Sequence, residues 1–299
     1  MISQFSHVLG IMNPKAGVRH NMQPRVVAAC EKLGINFRLE LTQYPGHATE
    51  LAEDALQGGF DLVVAIGGDG TINEVGRALV GTDVPMGVVP AGSGNAFARA
   101  LGLSFDPAKA CEAFVQPQIC KLDAGRVGDV IFFSAAGLGI DAEVVRGYAA
   151  RTGRRGLLPY VVLTVQTLRT FRPESMFLVL DSGSEIERCP LLVAVANIAQ
   201  YGSGVTIAPH AVPNDGLFDV CVVTHPGWVR LALNAYRLFT GTINRMPGVE
   251  MFRAKKVCIR RQAEGWFQFD GEAQKGDKTL EFEILAGALK LVLPKRSEA

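Results

Sequence analysis

"AIGGDGTINEV", residues 65–75, joins the end of an apolar run to the start of a helical pattern through a turn rich in glycine. After Gly67 and Gly68 come Asp69, a third glycine and Thr71, and apolar residues at helical spacing follow. Glycine lets the main chain approach a ligand closely, and the N–H groups at a helix N-terminus attract anions. The stretch therefore predicts a strand, a phosphate-binding turn and a helix in succession.

The segments around this unit repeat the same alternation as far as about residue 122. Apolar runs predict strands at 7–12, 35–42, 61–68 and 85–90, and the intervening patterns predict helices at 22–33, 47–57, 71–80 and 94–102. Strands and helices in alternation form a parallel sheet covered by helices. We therefore expect a Rossmann-like α/β domain over residues 1–122.

Beyond about residue 117, strand-like runs follow one another directly, which predicts an antiparallel β-sandwich or barrel. Helical segments near 141–171 and 227–240 interrupt these runs. We expect a β-sandwich domain over residues 123–299, with the last residues packing back on the first domain. The apolar segment 157–171 is expected to be mainly a core helix, and contact with lipid is the alternative.

Composition narrows the class of protein. The 299 residues carry a formal net charge of +1, which argues against a nucleic-acid-binding protein, because such proteins have a strong basic excess. The six scattered cysteines contain no C-x-x-C pair and fit a reduced cytoplasm. The N-terminus lacks the pattern of a signal peptide, and no apolar run approaches the ~18 residues of a membrane span. The sequence therefore predicts a cytoplasmic protein whose contact with a membrane is peripheral.

Three predicted strand ends carry unusual residues: "NPKAG" (13–17), "GGDGTIN" (67–73) and "PAGSGNAFAR" (90–99). In an α/β sheet the carboxyl ends of the strands lie at one edge, where ligands bind. Each loop alone could be a simple tight turn, but three at successive strands favour a shared phosphate site. A carboxylate there would repel phosphate unless it faced a metal ion, a metal-bound water or a hydroxyl proton, so Asp69 indicates phosphoryl transfer. The chain lacks G-x-x-x-x-G-K-[ST] and is not a P-loop enzyme.

Two more carboxylate clusters lie in the second half. Asp215 lies in an Asn-Asp-Gly turn before a strand, which is most simply a hairpin but could offer oxygens to a hard cation. Asp270 and Glu272 flank Gly271 after an aromatic strand, where an Asp-Gly hairpin turn is the simplest interpretation.

Taken in order, the motifs resemble those of the diacylglycerol kinase catalytic family, which includes sphingosine kinases and bacterial lipid kinases. The resemblance runs from "NPKAG" through "GGDGTINEV", "PAGSGNAFAR", "KLDAG", "GLGIDAEVV" and "NIAQYGSGVTIAPHAVPNDGLFDV" to "FDGEA". It implies a nucleotide-binding domain, a lipid-substrate domain and an active site in the cleft between them. It also implies ATP and Mg²⁺.

The resemblance carries site residues with it. Positions that surround ATP in similar kinases are Asn13, Pro14, Lys15, Ala16, Gly17, Thr42, Gly67, Gly68, Gly70, Thr71, Asn73, Gly92, Ser93 and Asn95. The resemblance implies catalytic roles for Asp69 and Glu272, either of which is the candidate base, and a less defined role for Asp270. It further implies a lipid contact at Asp141. For the catalytic metal, it implies binding through water at Asp69 and Asp123. It also implies a structural magnesium at Asp215, with the carbonyls of Val212 and Leu217 as further ligands. Pro213 and Asn214 depart from the family pattern of that loop.

The implied reaction is magnesium-dependent transfer of the γ-phosphoryl group of ATP to a lipid hydroxyl at a membrane surface. Diacylglycerol or a related glycerolipid is the preferred acceptor, and a sphingoid base is the alternative because "GSGNA" looks like the sphingosine kinase form. An NAD kinase, or a nucleotide-binding regulator without lipid turnover, is the alternative from another class. A homodimer is an open alternative for the assembly.

Overall fold

The computed structural model describes residues 4–15, 22–92, 94–151, 157–202, 204–225 and 227–295. The chain divides into two compact units. Unit 1 comprises residues 1–122 and 287–299, and unit 2 comprises residues 123–286. Each unit has a hydrophobic core of its own. Among the described residues, no helix has the length and apolar character that a bilayer span requires.

Unit 1 is built around a parallel sheet, as the alternation of its sequence predicts. Its strands are β1 (Val8–Met12), β2 (Phe37–Leu41), β3 (Leu62–Gly67) and β4 (Met86–Pro90), in the order β2-β1-β3-β4. Its helices are α1 (Met22–Lys32), α2 (His47–Gln57), α3 (Asp69–Leu79), α4 (Ala96–Ala100) and α5 (Pro107–Glu112). Alternate residues of β1 point to opposite faces of the sheet. Val8 and Met12 join the core under α1 and α5, and Leu9 and Ile11 are buried as well.

Unit 2 contains two antiparallel sheets, as expected of a sandwich. The strands of the first are β7 (Ala135–Gly139), β10 (Pro190–Ala196), β13 (Phe218–Thr224), β14 (Val249–Ala254), β16 (Gly265–Phe269) and β17 (Glu272–Gly276). Their order in the sheet is β14-β13-β10-β7-β16-β17. In the second, β15 (Lys256–Arg261) pairs with β8 (Met176–Leu180) and with residues 279–283 of β18 (Thr279–Pro294), and β8 pairs with β9 (Ile186–Arg188).

The remaining strands are short or cross the boundary of the units. β5 (Pro117–Val127) pairs with β6 (Val130–Phe132), and β11 (Gln200–Gly202) pairs with β12 (Val205–Thr206). The two main sheets of unit 2 enclose one core, to which Val193 and Val220 contribute from the first sheet and Ile259 and Phe282 from the second. The end of β18 belongs to unit 1, where Leu291 pairs with Met86 in parallel.

Each helical segment predicted in the second half is divided in two. The first forms α6 (Ile140–Ala149) and α7 (Leu157–Thr170), and the second forms α8 (Trp228–Asn234) and α9 (Arg237–Thr240).

The expectation that α7 lies mainly in the core is wrong. None of its described side chains is buried, and Leu158, Val161, Val162 and Val165 are 42–74% exposed. The helix has packing partners on one side, where Leu163 lies beside Gly147 and Tyr160 meets Tyr148 edge to face at 5.4 Å. Its opposite apolar face is therefore left in contact with solvent.

Candidate active site

The carboxyl ends of β1, β2, β3 and β4 lie together at one edge of the unit 1 sheet. The main-chain N–H of Asn13 donates to the carbonyl of Ile66, and that of Thr42 donates to Met12. After β4, the N–H groups of Ala91 and Gly92 both donate to the carbonyl of Gly67. The backbone bonds therefore place Asn13 beside the end of β3 and bring the loops after β3 and β4 into contact with each other.

Glycine is required at position 92 because its main chain lies close to that of Gly68. A Cβ atom on Gly92 would lie 2.5 Å from the Cα of Gly68 and 2.7 Å from Oδ1 of Asn95. Atoms at these distances overlap, so any side chain at position 92 would push the two loops apart. Glycine at position 92 is thus needed for loop packing, whether or not a ligand is bound.

Asp69 is the first residue of α3, and the helix therefore begins two residues before the predicted start at residue 71. Its Oδ1 accepts a hydrogen bond from the N–H of Phe97 at 3.2 Å, at the start of α4. Burial raises the pKa of Asp69, and the nearby amides of Ala96 and Phe97 oppose that rise. The carboxylate therefore links the beginnings of two helices.

Several of the predicted ATP residues have a structural task in unit 1. Oδ1 of Asn95 accepts from the N–H of Gly92 at 3.0 Å, and its Nδ2 donates to the carbonyl of Gly92 at 2.6 Å. Asn73 is buried and accepts from Arg77 within α3. Asn13 accepts from the N–H of Lys15 at 2.9 Å, which forms a local turn. Ala16, Gly17 and Ser93 lie outside the described residues.

In unit 2, Asp270 and Gly271 form the two-residue turn between β16 and β17, as the Asp-Gly pattern predicts. Both have positive φ, at 46° and 87°, which is typical of a type I′ hairpin. The carboxylate of Asp270 accepts three main-chain N–H groups, from Phe133 at 2.8 Å, Ser134 at 2.7 Å and Ala135 at 3.2 Å. Glu272 follows as the exposed first residue of β17. The turn that carries Glu272 is therefore attached to the segment 133–135.

Asp123 is attached to the same segment through Asn197, a residue that the sequence analysis missed. Nδ2 of Asn197 donates to the carbonyls of Asp123 at 2.8 Å and Phe133 at 2.9 Å. Asp123 is buried, and its Oδ2 accepts from the N–H of Gly216 at 2.7 Å. The sequence signal that could have identified Asn197 is its position as a polar residue at the end of the apolar run of β10.

Asp141 forms a second buried network with Tyr201 and Gln268, two further residues that the sequence analysis did not single out. The Tyr201 hydroxyl donates to Oδ2 of Asp141, and Nε2 of Gln268 donates to that hydroxyl. Burial raises the pKa of Asp141 to about 7, although its hydrogen bonds oppose the rise. Gln268 also accepts from the N–H of Gly271 at 3.2 Å, so the network reaches the turn that carries Glu272.

The residues at the predicted metal positions differ in how well they fit Mg²⁺. Among the described residues, no group of three or more His, Cys, Asp or Glu side chains could hold a metal ion. Water-mediated binding at Asp69 and Asp123 is compatible with this finding, because it needs no such group. The Asp215 loop fits poorly, since Oδ1 of Asp215 accepts from Leu217 and Oδ2 accepts from the guanidinium of Arg253. The turn at Asp215 is present, but β13 pairs with β10 and β14, so the turn is not part of a hairpin.

Comparisons with known families match both halves of the chain. Residues 7–127 match the model described as the diacylglycerol kinase catalytic domain. Residues 134–293 match the model described as the YegS C-terminal NAD kinase beta sandwich-like domain.

Individual relatives are similar along most of the chain. A diacylglycerol kinase of Mycobacterium tuberculosis is 32% identical over 218 residues, which is 71% of each chain. A probable YegS-like lipid kinase of Klebsiella pneumoniae is 29% identical over 300 residues, or 98% of each. The crystal structure of a diacylglycerol kinase from Bacillus anthracis str. Sterne has a TM-score of 0.78 at 24% identity and covers 98% of this chain and 99% of its own.

Proposed function

Since the chain belongs to the diacylglycerol kinase family of lipid kinases, we propose that it transfers the γ-phosphoryl group of ATP to the hydroxyl of diacylglycerol or a related glycerolipid, with Mg²⁺. The strongest support for the proposal is the contact between the glycine-rich loops after β3 and β4, with Asp69 at the start of α3. A helix N-terminus beside glycine-rich loops at such an edge suits the phosphates of a nucleotide.

In unit 1, the proposed task of the loops is to bind and orient the phosphates. Asn95 keeps the loop after β4 in shape through its paired hydrogen bonds with Gly92. Asp69 is proposed to hold Mg²⁺ through a water molecule, and Asp123 of unit 2 is proposed to do the same. When bound, Mg²⁺ would neutralise charge on the phosphates.

In unit 2, Glu272 is proposed as the base that takes the proton of the acceptor hydroxyl. Its exposure supports this role, because a general base must reach the substrate. Asp270 has its carboxylate engaged by three main-chain N–H groups, so we propose that it holds the turn rather than takes the proton. Asp69 is the alternative base, since its raised pKa makes it a better proton acceptor than an ordinary aspartate.

Asp141 is proposed to contact the polar part of the lipid. With its pKa raised to about 7, a large fraction of this carboxyl is uncharged at neutral pH. The neutral form can bond to a hydroxyl or an ester oxygen, and the ionised form can bind an ammonium group. Asp141 therefore suits either a glycerolipid or a sphingoid base.

A single assay tests the reaction and its alternatives. Labelled ATP is supplied with diacylglycerol, monoacylglycerol, phosphatidylglycerol, ceramide or sphingosine in mixed micelles, with MgCl₂ or with EDTA. We expect phosphorylated diacylglycerol, loss of product in EDTA, and a fall in kcat of roughly 10²–10⁴-fold for Glu272→Gln. Phosphorylation of sphingosine alone would favour the sphingoid kinase. Magnesium-dependent ATP binding without product from any lipid would favour the nucleotide-binding regulator.

We further propose that α7 contacts the lipid surface. Leu158, Val161, Val162 and Val165 follow helical spacing and form an exposed apolar stripe. Arg151 and Arg169, before and near the end of α7, are exposed as well and could meet anionic headgroups.

Vesicle flotation tests this contact. Serine at the four stripe positions should reduce recovery with vesicles that contain phosphatidylglycerol, whereas Ile119→Ser, which alters an exposed apolar residue of unit 1, should not. Equal recovery of the stripe variant and the wild type would contradict the proposed surface.

A further inference from the structure

Arg253 is fixed next to two carboxylates by the register of the first sheet of unit 2. In the antiparallel pair of β13 and β14, Arg253 lies directly opposite Asp219. Side chains at such paired positions are neighbours on one face of the sheet. Nε of Arg253 is 3.6 Å from Oδ2 of Asp219, and its Nη2 donates to Oδ2 of Asp215. One guanidinium therefore bridges the strand and the loop that precedes it.

Asp219 needs a positive charge close by. Its side chain is 4% exposed, and its Oδ2 accepts no hydrogen bond. A buried carboxylate is costly unless a cation compensates its charge. Arg253 supplies that charge from within the fold, at the position where the family resemblance implies a structural magnesium.

The loop around Asp215 is also closed by bonds that need no metal. Oδ1 of Asp215 accepts from the N–H of Leu217 at 3.1 Å, and Asp123 accepts from the N–H of Gly216 at 2.7 Å. The N–H of Asp123 donates to the carbonyl of Pro213 at 2.7 Å. These bonds hold the loop on both sides of Asp215.

A divalent ion and Arg253 would compete for the same carboxylate. Mg²⁺ demands nearly ideal octahedral oxygen geometry and keeps several waters. The guanidinium is always charged and is held beside Asp215 by its strand. We infer that Arg253 is the counterion of the Asp215 loop in this chain, and that no divalent cation binds there.

The test measures the melting temperature of the full chain without nucleotide, in EDTA, in millimolar MgCl₂ and in NaCl of matched ionic strength. We expect the wild type and Asp215→Asn to show the same response to magnesium, since neither holds the ion at this loop. Arg253→Met removes the guanidinium that faces both Asp215 and Asp219. We therefore expect this variant to melt lower in EDTA and to recover by roughly 2–4 °C in magnesium but not in NaCl.

Arg188→Met is the matched control, because Arg188 pairs with Glu250 of the same strand β14 at 2.6 Å. It should lose stability without gaining a response to magnesium. A magnesium-specific rise of the wild type that Asp215→Asn abolishes would overturn the inference, because the loop would then bind the metal. An Arg253→Met variant that folds but stays insensitive to magnesium would also contradict it, because Arg253 would not be what excludes the ion. If Arg253→Met does not fold, the comparison of wild type with Asp215→Asn decides.

Discussion

Replacing Asp270 by asparagine separates the structural role of this residue from the chemistry of its neighbour. Asparagine tolerates the positive φ of 46° and has nearly the same shape, so the backbone of the turn is not strained. It keeps one carbonyl oxygen, which can still accept from Ser134 and Ala135 as a neutral group. Its amide NH₂ would face the N–H of Phe133, where two donors meet.

The expected loss of stability follows from these three hydrogen bonds. Two bonds lose the charge that roughly doubles their strength, and one N–H loses its acceptor, which costs about 1–3 kcal/mol. Because Asp270 is only half-buried, water can hydrogen-bond to the affected groups and offsets part of this loss of stability. We expect Asp270→Asn to lower the free energy of unfolding by about 2–4 kcal/mol.

Two controls make the test specific. Asp181 also has a positive φ, 52°, and its Oδ1 accepts from the N–H groups of Lys255 and Lys256 at 2.9 Å. Asp181→Asn should therefore lose stability but keep lipid kinase activity. Glu272→Gln, at an exposed position, should stay within about 0.5 kcal/mol of the wild type and lose activity. Asp270→Asn should lose both.

The measurements are urea unfolding, hydrogen exchange of the peptide that contains residues 133–135, and kcat at a temperature where every variant is folded. Exchange at 133–135 should accelerate in Asp270→Asn and not in Glu272→Gln. A wild-type unfolding midpoint and unchanged exchange in Asp270→Asn would refute the structural role of its carboxylate.

Two further substitutions test other contacts. Gly92→Ala should weaken ATP binding and lower the free energy of unfolding by about 1–3 kcal/mol, because its Cβ would overlap Gly68. Calorimetry should find neither loss in Gly147→Ala, where the atom nearest to the new Cβ is 3.4 Å away. Asp141 binds a proton in the folded protein up to a pKa of about 7 but is already ionised above about pH 4 when unfolded. Its contribution to stability therefore falls as pH rises from about 4 to 7, by a few kcal/mol. Denaturant titrations from pH 5 to 8 should show that Asp141→Asn removes this part of the slope, and parallel curves for the two proteins would contradict the assignment.

The α/β order of unit 1 was predictable because each of its elements carries a local signal. The strand at 62–67 is an unbroken apolar run that ends in glycine, and α2 begins and ends at the predicted residues, 47 and 57. The two-residue turn at Asp270 and Gly271 was predictable for the same reason, since both positive φ angles suit the residues that are there.

The partners of the site carboxylates were not predictable, because the pairs are distant in the chain. Asp270 and Phe133 are 137 positions apart, and Arg253 and Asp215 are 38 apart. One sequence gives no sign of which acidic side chain faces a guanidinium or an amide. The exposure of α7 was mispredicted because the sequence pattern of an apolar helix is the same whether its outer face contacts protein or solvent.

Hydrogen bonds give four of the five candidate carboxylates of unit 2 a structural role. Asp123, Asp141, Asp215 and Asp270 each accept hydrogen bonds from protein donors, and those bonds hold loops and turns together. Glu272, the fifth candidate, is the exposed first residue of β17. Removing Asp215 or Asp270 is expected to lower activity by displacing the segment that each one holds. Removing Asp123 or Asp141 would also take away a proposed contact with metal or lipid, and removing Glu272 would take away the proposed proton acceptor. Loss of activity alone therefore does not identify the base, and stability measured on the same variants is what separates the two causes.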